Sequence, residues 1–356
     1  MLVLGIETSC DETSAAVVEN GHKVLSCVIA SSRDAFALSG GVIPEQAARE
    51  QIRAIHPMID QALTQASITE IDLDAIAVTR GPGLLGSLLV GTVTARTLAS
   101  LWKKPLVGIH HTLGHLSSTW LDEMEEPAFP LLTLSASGGH TELWLRTEPL
   151  SATLLGSTRD DAAGEAFDKG ASLLHLPYPG GPSIAKAAKS GSAHAYPFPH
   201  PLKHEETLDF SYSGLKTSLK YTIRDLPESE TSLLQDSGSN LVADLAASYQ
   251  HAICVHLCDR IAHALKLHPE VREIHCVGGV SANLHLRALL AEVSSGRTVR
   301  FPKKILYCTD NAAMIAAAGS LLLQKHGKTA CVSFLTAASI PATMVFDITK
   351  TQERLQ

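Results

Sequence analysis

His111 and His115, in the stretch His110-His111-Thr112-Leu113-Gly114-His115-Leu116, are the residues of this chain best spaced to do chemistry. On a helix, positions i and i+4 lie one above the other on a single face, so both imidazoles can share one metal ion. A third ligand must come from elsewhere, and Asp310 is the candidate. It lies in Cys308-Thr309-Asp310-Asn311, just ahead of an alanine-rich run, where it would also suit an N-cap or a first-turn acid. The chain holds 17 histidines, so one such pair also arises by chance, and the elements around it must decide.

Those elements alternate. Leu2 to Ile6 reads as a buried strand, followed by the polar turn Glu7-Thr8-Ser9-Cys10-Asp11-Glu12-Thr13 and by strands over Ala15–Val18 and Val24–Ile29. Pro44 opens an amphipathic helix that turns Ala47, Ile52, Ile55, Ile59 and Leu63 toward a core. A strand over Asp74–Val78 leads through Gly81-Pro82-Gly83-Leu84-Leu85-Gly86-Ser87 into a helix ending at Trp102. No Lys-Ser/Thr follows the last glycine, which excludes a P-loop. The strand Leu106–Ile109 then delivers His111 and His115 to the next helix. Strand, turn and helix in this order predict an α/β lobe.

Pro127 and Pro130 mark a lobe boundary. Beyond it, Leu131–Leu134 and Glu142–Leu145 flank Ser135-Ala136-Ser137-Gly138-Gly139-His140-Thr141, a second polar, glycine-rich hairpin turn. The opening device thus occurs once in each half, as in the actin, heat-shock chaperone and sugar kinase superfamily, where paired turns grip nucleotide phosphates across a cleft. Asp160 to Lys169 reads as one capped helix whose Asp161, Glu165 and Asp168 repel one another unless a cation sits opposite. Tyr178-Pro179-Gly180-Gly181-Pro182 turns into a further helix. Residues 191–209 are rich in Pro and His, Leu241–Leu267 is a long helix, and Gly278-Gly279-Val280-Ser281-Ala282-Asn283 carries the strand Glu273–Val277 into a helix. Such a corner leaves room for a flat adenine or ribose, or serves tight packing alone.

Composition sets outer limits. A chain of 356 residues, 45% hydrophobic, exceeds what one core holds and is expected to fold as two lobes. A net charge of −7 argues against gripping nucleic acid by bulk electrostatics, so any RNA contact is local or shared with partners. Seven cysteines, odd in number and without C-x-x-C, read as reduced core thiols of a cytoplasmic protein. Cys254 and Cys258 share helical spacing, but their apolar neighbours indicate a buried helix rather than a metal site. No signal peptide or membrane span is expected.

The motifs Gly5 to Thr13, Gly81 to Gly91, His111/His115, Ser137 to Thr141, Asp161 to Lys169, Tyr178 to Pro182, Leu208 to Thr217, Gly278 to Asn283 and Cys308 to Ala316 together closely resemble the TsaD family, the universal tRNA threonylcarbamoyladenosine synthases once mislabelled sialoglycoproteases. The resemblance spans about residues 1–325 with the blocks in order. It implies a two-lobed actin-like (ASKHA) fold with duplicated mixed sheets and a central cleft. The lobes would be 1–127, completed by about 306–325, and 128–305, with 326–356 a tail of unassigned role.

The resemblance further implies that His111, His115 and Asp310 bind one divalent metal, Fe(2+) before Zn(2+). Ser135, Ala136, Ser137, Gly138, Gly139, Asp168, Gly181 and Asn283 would line the adenylate site, with Asp11 and Glu12 facing the reacting group as candidate bases. The reaction moves threonylcarbamoyl from threonylcarbamoyl-AMP to the exocyclic amine of the adenosine 3′ of the anticodon, in tRNAs reading A-starting codons. Implied partners are a degenerate paralogue of the same fold (TsaB-like) and a small P-loop ATPase (TsaE-like).

The chain departs from the family pattern at Leu113, where Glu is usual, and at Gln51, which replaces a common His after the block from Gly40-Gly41 to Arg49. Rival readings are weaker. A zincin needs Glu directly after the first His, and Thr112 stands there. A sugar or acetate kinase matches at the level of fold alone. A non-catalytic ATP-binding scaffold has no need of an intact His111/His115/Asp310 set.

Overall fold

Val3, Leu4, Ile6 and the facing run Ala15–Val18 are inaccessible to water on both faces, as the middle of a covered sheet requires. A computed structural model describes residues 1–31, 43–331 and 347–350, so Gly40-Gly41 and most of the tail lie outside the described residues. The chain forms two compact units: Met1–Pro127 with Thr147–Ala152 and Pro302–Thr349, and Ala128–Arg146 with Thr153–Phe301 and Lys350–Gln356.

The first unit is built on a five-stranded mixed sheet, ordered β3-β2-β1-β4-β5. β1 (Leu2–Glu7) pairs antiparallel with β2 (Glu12–Glu19), which pairs likewise with β3 (Lys23–Ser31). On its other side β1 runs parallel to β4 (Ala75–Gly81), and β4 to β5 (Leu106–His110). The long helices α1 (Pro44–Ala66) and α2 (Leu85–Trp102) join Leu4, Ile6, Val17 and Ile76 in one core through Ile55, Ile59 and Leu98.

One expectation fails in α1. Ile52 is 62% exposed, and Gln51 is buried in the inward row Ala47, Gln51, Ile55, Ile59. Steps of four residues keep that row on one face, and Ile52 lies about 100° round the helix from it. Gln51 is accommodated because its amide donates to the carbonyls of Cys10 and Glu12, both at 3.0 Å.

The alanine-rich helix Ala312–His326 packs against the same sheet with Ala312, Ala313, Ala316 and Ala317 fully buried. Small side chains let the helix approach to backbone distance, and Gly5 completes the fit: a Cβ there would stand 2.1 Å from the Ala312 carbonyl oxygen.

A six-stranded sheet ordered β10-β9-β6-β7-β8-β11 is built mainly from residues of the second unit. β6 (Leu131–Ala136) and β7 (Thr141–Glu148) form the second hairpin, and β8 (Ser151–Ser157) follows. β9 (Glu273–Val277) runs parallel to β6, and β10 (Thr298–Arg300) to β9; β11 is Asp347–Lys350. Its helices are α4 (Ala163–Leu173), α5 (Gly180–Ala187), α6 (Ser213–Arg224), α7 (Asn240–Leu267) and α8 (Leu284–Val293). Phe167, Tyr212, Leu245, Tyr249 and Ile253 fill the core they share with the sheet. Cys254, Cys258 and Cys276 are buried there, and no disulfide joins any of the seven cysteines. Among the described residues no helix is long and apolar enough to cross a membrane.

Gly5→Ala should destabilise the chain by about 1–3 kcal/mol, since a backbone carbonyl cannot yield as a side chain can. Gly214→Ala, where an added Cβ meets nothing within 4 Å, should leave the denaturant midpoint nearly unchanged. Equal midpoints for both variants would refute the close-approach argument.

Candidate metal centre and substrate turn

β5 ends at His110 and the chain turns at once into the short helix α3 (His111–Ser117). One helical turn then sets the His115 ring against that of His111, with centroids 4.6 Å apart and planes at 88°. Both imidazoles are more than nine-tenths buried. Asp310 closes the group: its Oδ1 lies 3.0 Å from His115 Nε2 and 3.5 Å from His111 Nε2, while the two Nε2 atoms are 3.1 Å apart. Asp310 does not cap the helix behind it. Asn311 is the N-cap, its Oδ1 accepting from Met314 N at 3.0 Å, which leaves the neighbouring carboxylate to the histidines.

These three residues are the group of possible metal ligands found among the described residues, with donor atoms all within 4.8 Å of one another. The donor set fits a metal. Ligand bonds of about 2.0–2.2 Å place neighbouring donors roughly 3.0–3.5 Å apart, and the separations here span that range. Two imidazole nitrogens and a carboxylate suit zinc or iron.

Sequence reasoning missed what holds His111. Glu7, fully buried at the end of β1, presents Oε2 to His111 Nδ1 at 3.2 Å. It also accepts from Thr79 Oγ1 and from the backbone N–H of Ser9, both at 2.5 Å. A carboxylate on Nδ1 keeps the proton there and turns the Nε2 lone pair toward Asp310 and His115. The available signal was an acid ending an otherwise apolar strand.

The β1–β2 turn packs close to this group. Asp11 and Glu12 are both buried, and Gln51 and Ser87 Oγ donate to carbonyls of the turn. Gly83 must be glycine for the α2 entry to close on it, since a Cβ would lie 2.6 Å from the Ser9 carbonyl oxygen. Burial, then Asp11, then Asp310 and Glu12 push the Cys10 thiol up to about 12. Burial and the surrounding carboxylates thus favour the protonated thiol.

The remaining expected site residues lie in the second unit. Ser135 and Ala136 end β6, and Ser137, Gly138 and Gly139 form the turn, closed by Ser137 N donating to the His140 carbonyl at 2.8 Å. The turn is fastened to the start of α4, where Gly164 N donates to the Ser137 carbonyl and Ala163 N to Thr141 Oγ1. Asp168 accepts from Gly180 N at 2.7 Å and so ties α4 to the first turn of α5, which contains Gly181. Asn283 caps α8 through Leu286 N and donates to Gln250 Oε1 at 2.7 Å. Gly278, at φ +86°, brings that corner against Ala136.

The acidic helix needs correction. It begins at Ala163, so Asp161 precedes it, and the cation that relieves the crowding belongs to the same motif: Lys169 Nζ lies 2.5 Å from Asp161 and 2.9 Å from Glu165.

A family model described as tRNA N6-adenosine threonylcarbamoyltransferase matches residues 23–317. The chain belongs to the TsaD family. It is 47% identical over 342 residues to the tRNA N6-adenosine threonylcarbamoyltransferase of Thermomicrobium roseum, covering 91% of this chain and 93% of that protein. The Bacillus subtilis protein of the same name is 43% identical, with 91% of each chain covered.

Solved structures share the fold at low identity. HypF of T. kodakarensis superposes with a TM-score of 0.58 at 14% identity, over 91% of this chain and 48% of that one. The activator of 2-hydroxyisocaproyl-CoA dehydratase from Clostridium difficile, with bound ADPNP, gives 0.51 at 13% identity, over 92% and 98%. This TsaD family member thus has the expected α/β fold of the actin-like class, with one mixed sheet in each unit.

Glu7→Gln should weaken zinc binding at the triad by about 10–100-fold, because the amide can present its N–H side to Nδ1 and upset the tautomer. Competition with a chromophoric chelator measures this, and an unchanged affinity would remove Glu7 from the site.

Proposed function

We propose that the chain transfers the threonylcarbamoyl group of threonylcarbamoyl-AMP to the exocyclic amine of the adenosine 3′ of the anticodon in tRNAs that read A-starting codons. The observation that carries this reading is the buried His111/His115/Asp310 group in a chain of the TsaD family. In the reaction the adenosine nitrogen attacks the carbamoyl carbon, the bond from that carbon to the phosphate oxygen breaks, AMP leaves, and the amine proton is lost. The leaving group is already good, so the protein mainly holds and aligns.

His111, His115 and Asp310 would hold one divalent metal, Fe(2+) by preference, which when bound supplies Lewis-acid polarisation and a template for substrate oxygens. Glu7 sets the His111 tautomer. The Ser135–Gly139 turn, with exposed glycines, would receive the adenylate, helped by the α5 start at Gly181 and by Asn283. Asp168 acts by fixing that start. Asp11 or Glu12 would take the amine proton, both being buried beside Cys10. Leu113, fully buried in place of the family's usual Glu, packs instead of binding, so the polar work in α3 falls to the two histidines.

The reading includes partners. Ile52 and Leu89, Val90 and Val93 line an apolar groove of about 400 Å³ between α1 and α2, with Ile52, Leu89 and Val93 well exposed. Such a face suits a helical partner, and a degenerate paralogue of the same fold would bring matching helices. The small P-loop ATPase is the other expected member. Seven cysteines without a disulfide are in keeping with work in the cytoplasm.

With the partners, threonylcarbamoyl-AMP and unmodified tRNA, mass spectrometry of the nucleosides should find threonylcarbamoyladenosine for the wild type and at least about a hundredfold less for His111→Ala. Product from neither, with metal bound, would sink the catalytic reading. Val93→Asp should abolish co-elution with the paralogue while leaving the fold intact by circular dichroism; retained co-elution would put the partner elsewhere.

A further inference from the structure

The second unit holds a cluster of imidazoles that neither the triad nor the proposed substrate residues use. His251 Nδ1, on α7, lies 2.9 Å from His285 Nε2, in the first turn of α8. His194, exposed in the Pro- and His-rich segment after residue 190, sets its ring edge-on to that of His251, with centroids 4.7 Å apart. His194 and His251 border a cavity of about 340 Å³ whose wall also includes Tyr196, Phe198 and His200.

Two imidazole nitrogens cannot face each other at 2.9 Å with both lone pairs bare. Either a proton lies between them or both lone pairs converge on an ion set to one side of the line that joins them. A hydrogen bond accounts for the pair in the absence of an ion, and edge-on packing seats the third ring beside it. Burial first, then the neighbouring imidazoles, lower the His251 pKa, and burial lowers that of His285, so both are neutral and ligand-ready at pH 7. Glu292 adds a negative charge that acts on His285.

We propose that His251 and His285, joined by His194, form a second site for a divalent transition-metal ion of the zinc, nickel or copper class. The 2.9 Å separation is near the roughly 3.0 Å between neighbouring donors around such an ion. His194 completes the set by turning its side chain, since the triad is the group among the described residues whose three donors already lie within 4.8 Å. Gln250 and Asn283, hydrogen-bonded at 2.7 Å, stand beside this cluster on the same two helices. A bound ion therefore locks the α7–α8 junction and fastens the 191–199 segment to it.

Equilibrium dialysis of the chelator-stripped full chain against micromolar zinc, followed by metal analysis, tests this. The expected result is two equivalents in the wild type and one each in His111→Ala and in the double variant His251→Gln/His285→Gln. Zinc should also slow amide exchange over 191–199 in the wild type and in His111→Ala, but not in the double variant. His194→Ala, at an exposed position that folding does not need, should weaken the second equivalent by about tenfold or more. A single equivalent in the wild type that vanishes with His111→Ala overturns the proposal. So does a double variant that still binds two, or zinc uptake unaffected by His194→Ala.

Discussion

Asp310 reaches His111 and His115 because a helix lies directly on a strand with no side chain between them. Gly5 in β1 and the buried alanines of Ala312–His326 bring two backbones to contact, and Asp310 sits just ahead of that helix. Almost 200 residues of chain separate the aspartate from the histidines, so the donor spacing of 3.0–3.5 Å depends on this one packing distance. A methyl group at position 5 would be enough to disturb it.

The same economy governs the electrostatics. Glu7 is an acid without access to water, which is costly unless lone pairs on both its oxygens are engaged. Thr79, Ser9 and the His111 ring use them, and in doing so orient His111. Division of labour between neighbours recurs nearby: Asn311 does the capping so that Asp310 need not, and Lys169 neutralises Asp161 and Glu165 so that Asp168 is left to hold the α5 start. In each case two adjacent polar residues look interchangeable in the sequence and differ entirely in what they touch.

The second unit repeats the strand-turn-strand device of the first with different fastenings. The β1–β2 turn is clamped by α1 and α2 through Gln51, Ser87 and Gly83, whereas the β6–β7 turn is tied to α4 through Gly164 and Thr141. The former turn is buried and acidic; the latter exposes its glycines.

Local sequence determined a good deal. Apolar periodicity and punctuation by Gly and Pro gave the strands β1, β5, β6 and β9, the long helices, and the i, i+4 pair, because those signals depend only on neighbours along the chain. The third ligand was legible as a candidate from its place ahead of the alanine-rich helix, with capping as the open alternative, and the family resemblance favoured it. What only tertiary structure decided is which polar residues turn inward. Gln51 rather than Ile52 faces the core of α1, Glu7 turns inward to support His111, and Asn311 rather than Asp310 caps. Burial of a polar side chain is settled by partners distant in sequence, here the carbonyls of Cys10 and Glu12 or the hydroxyl of Thr79, and no local pattern encodes where those partners will stand.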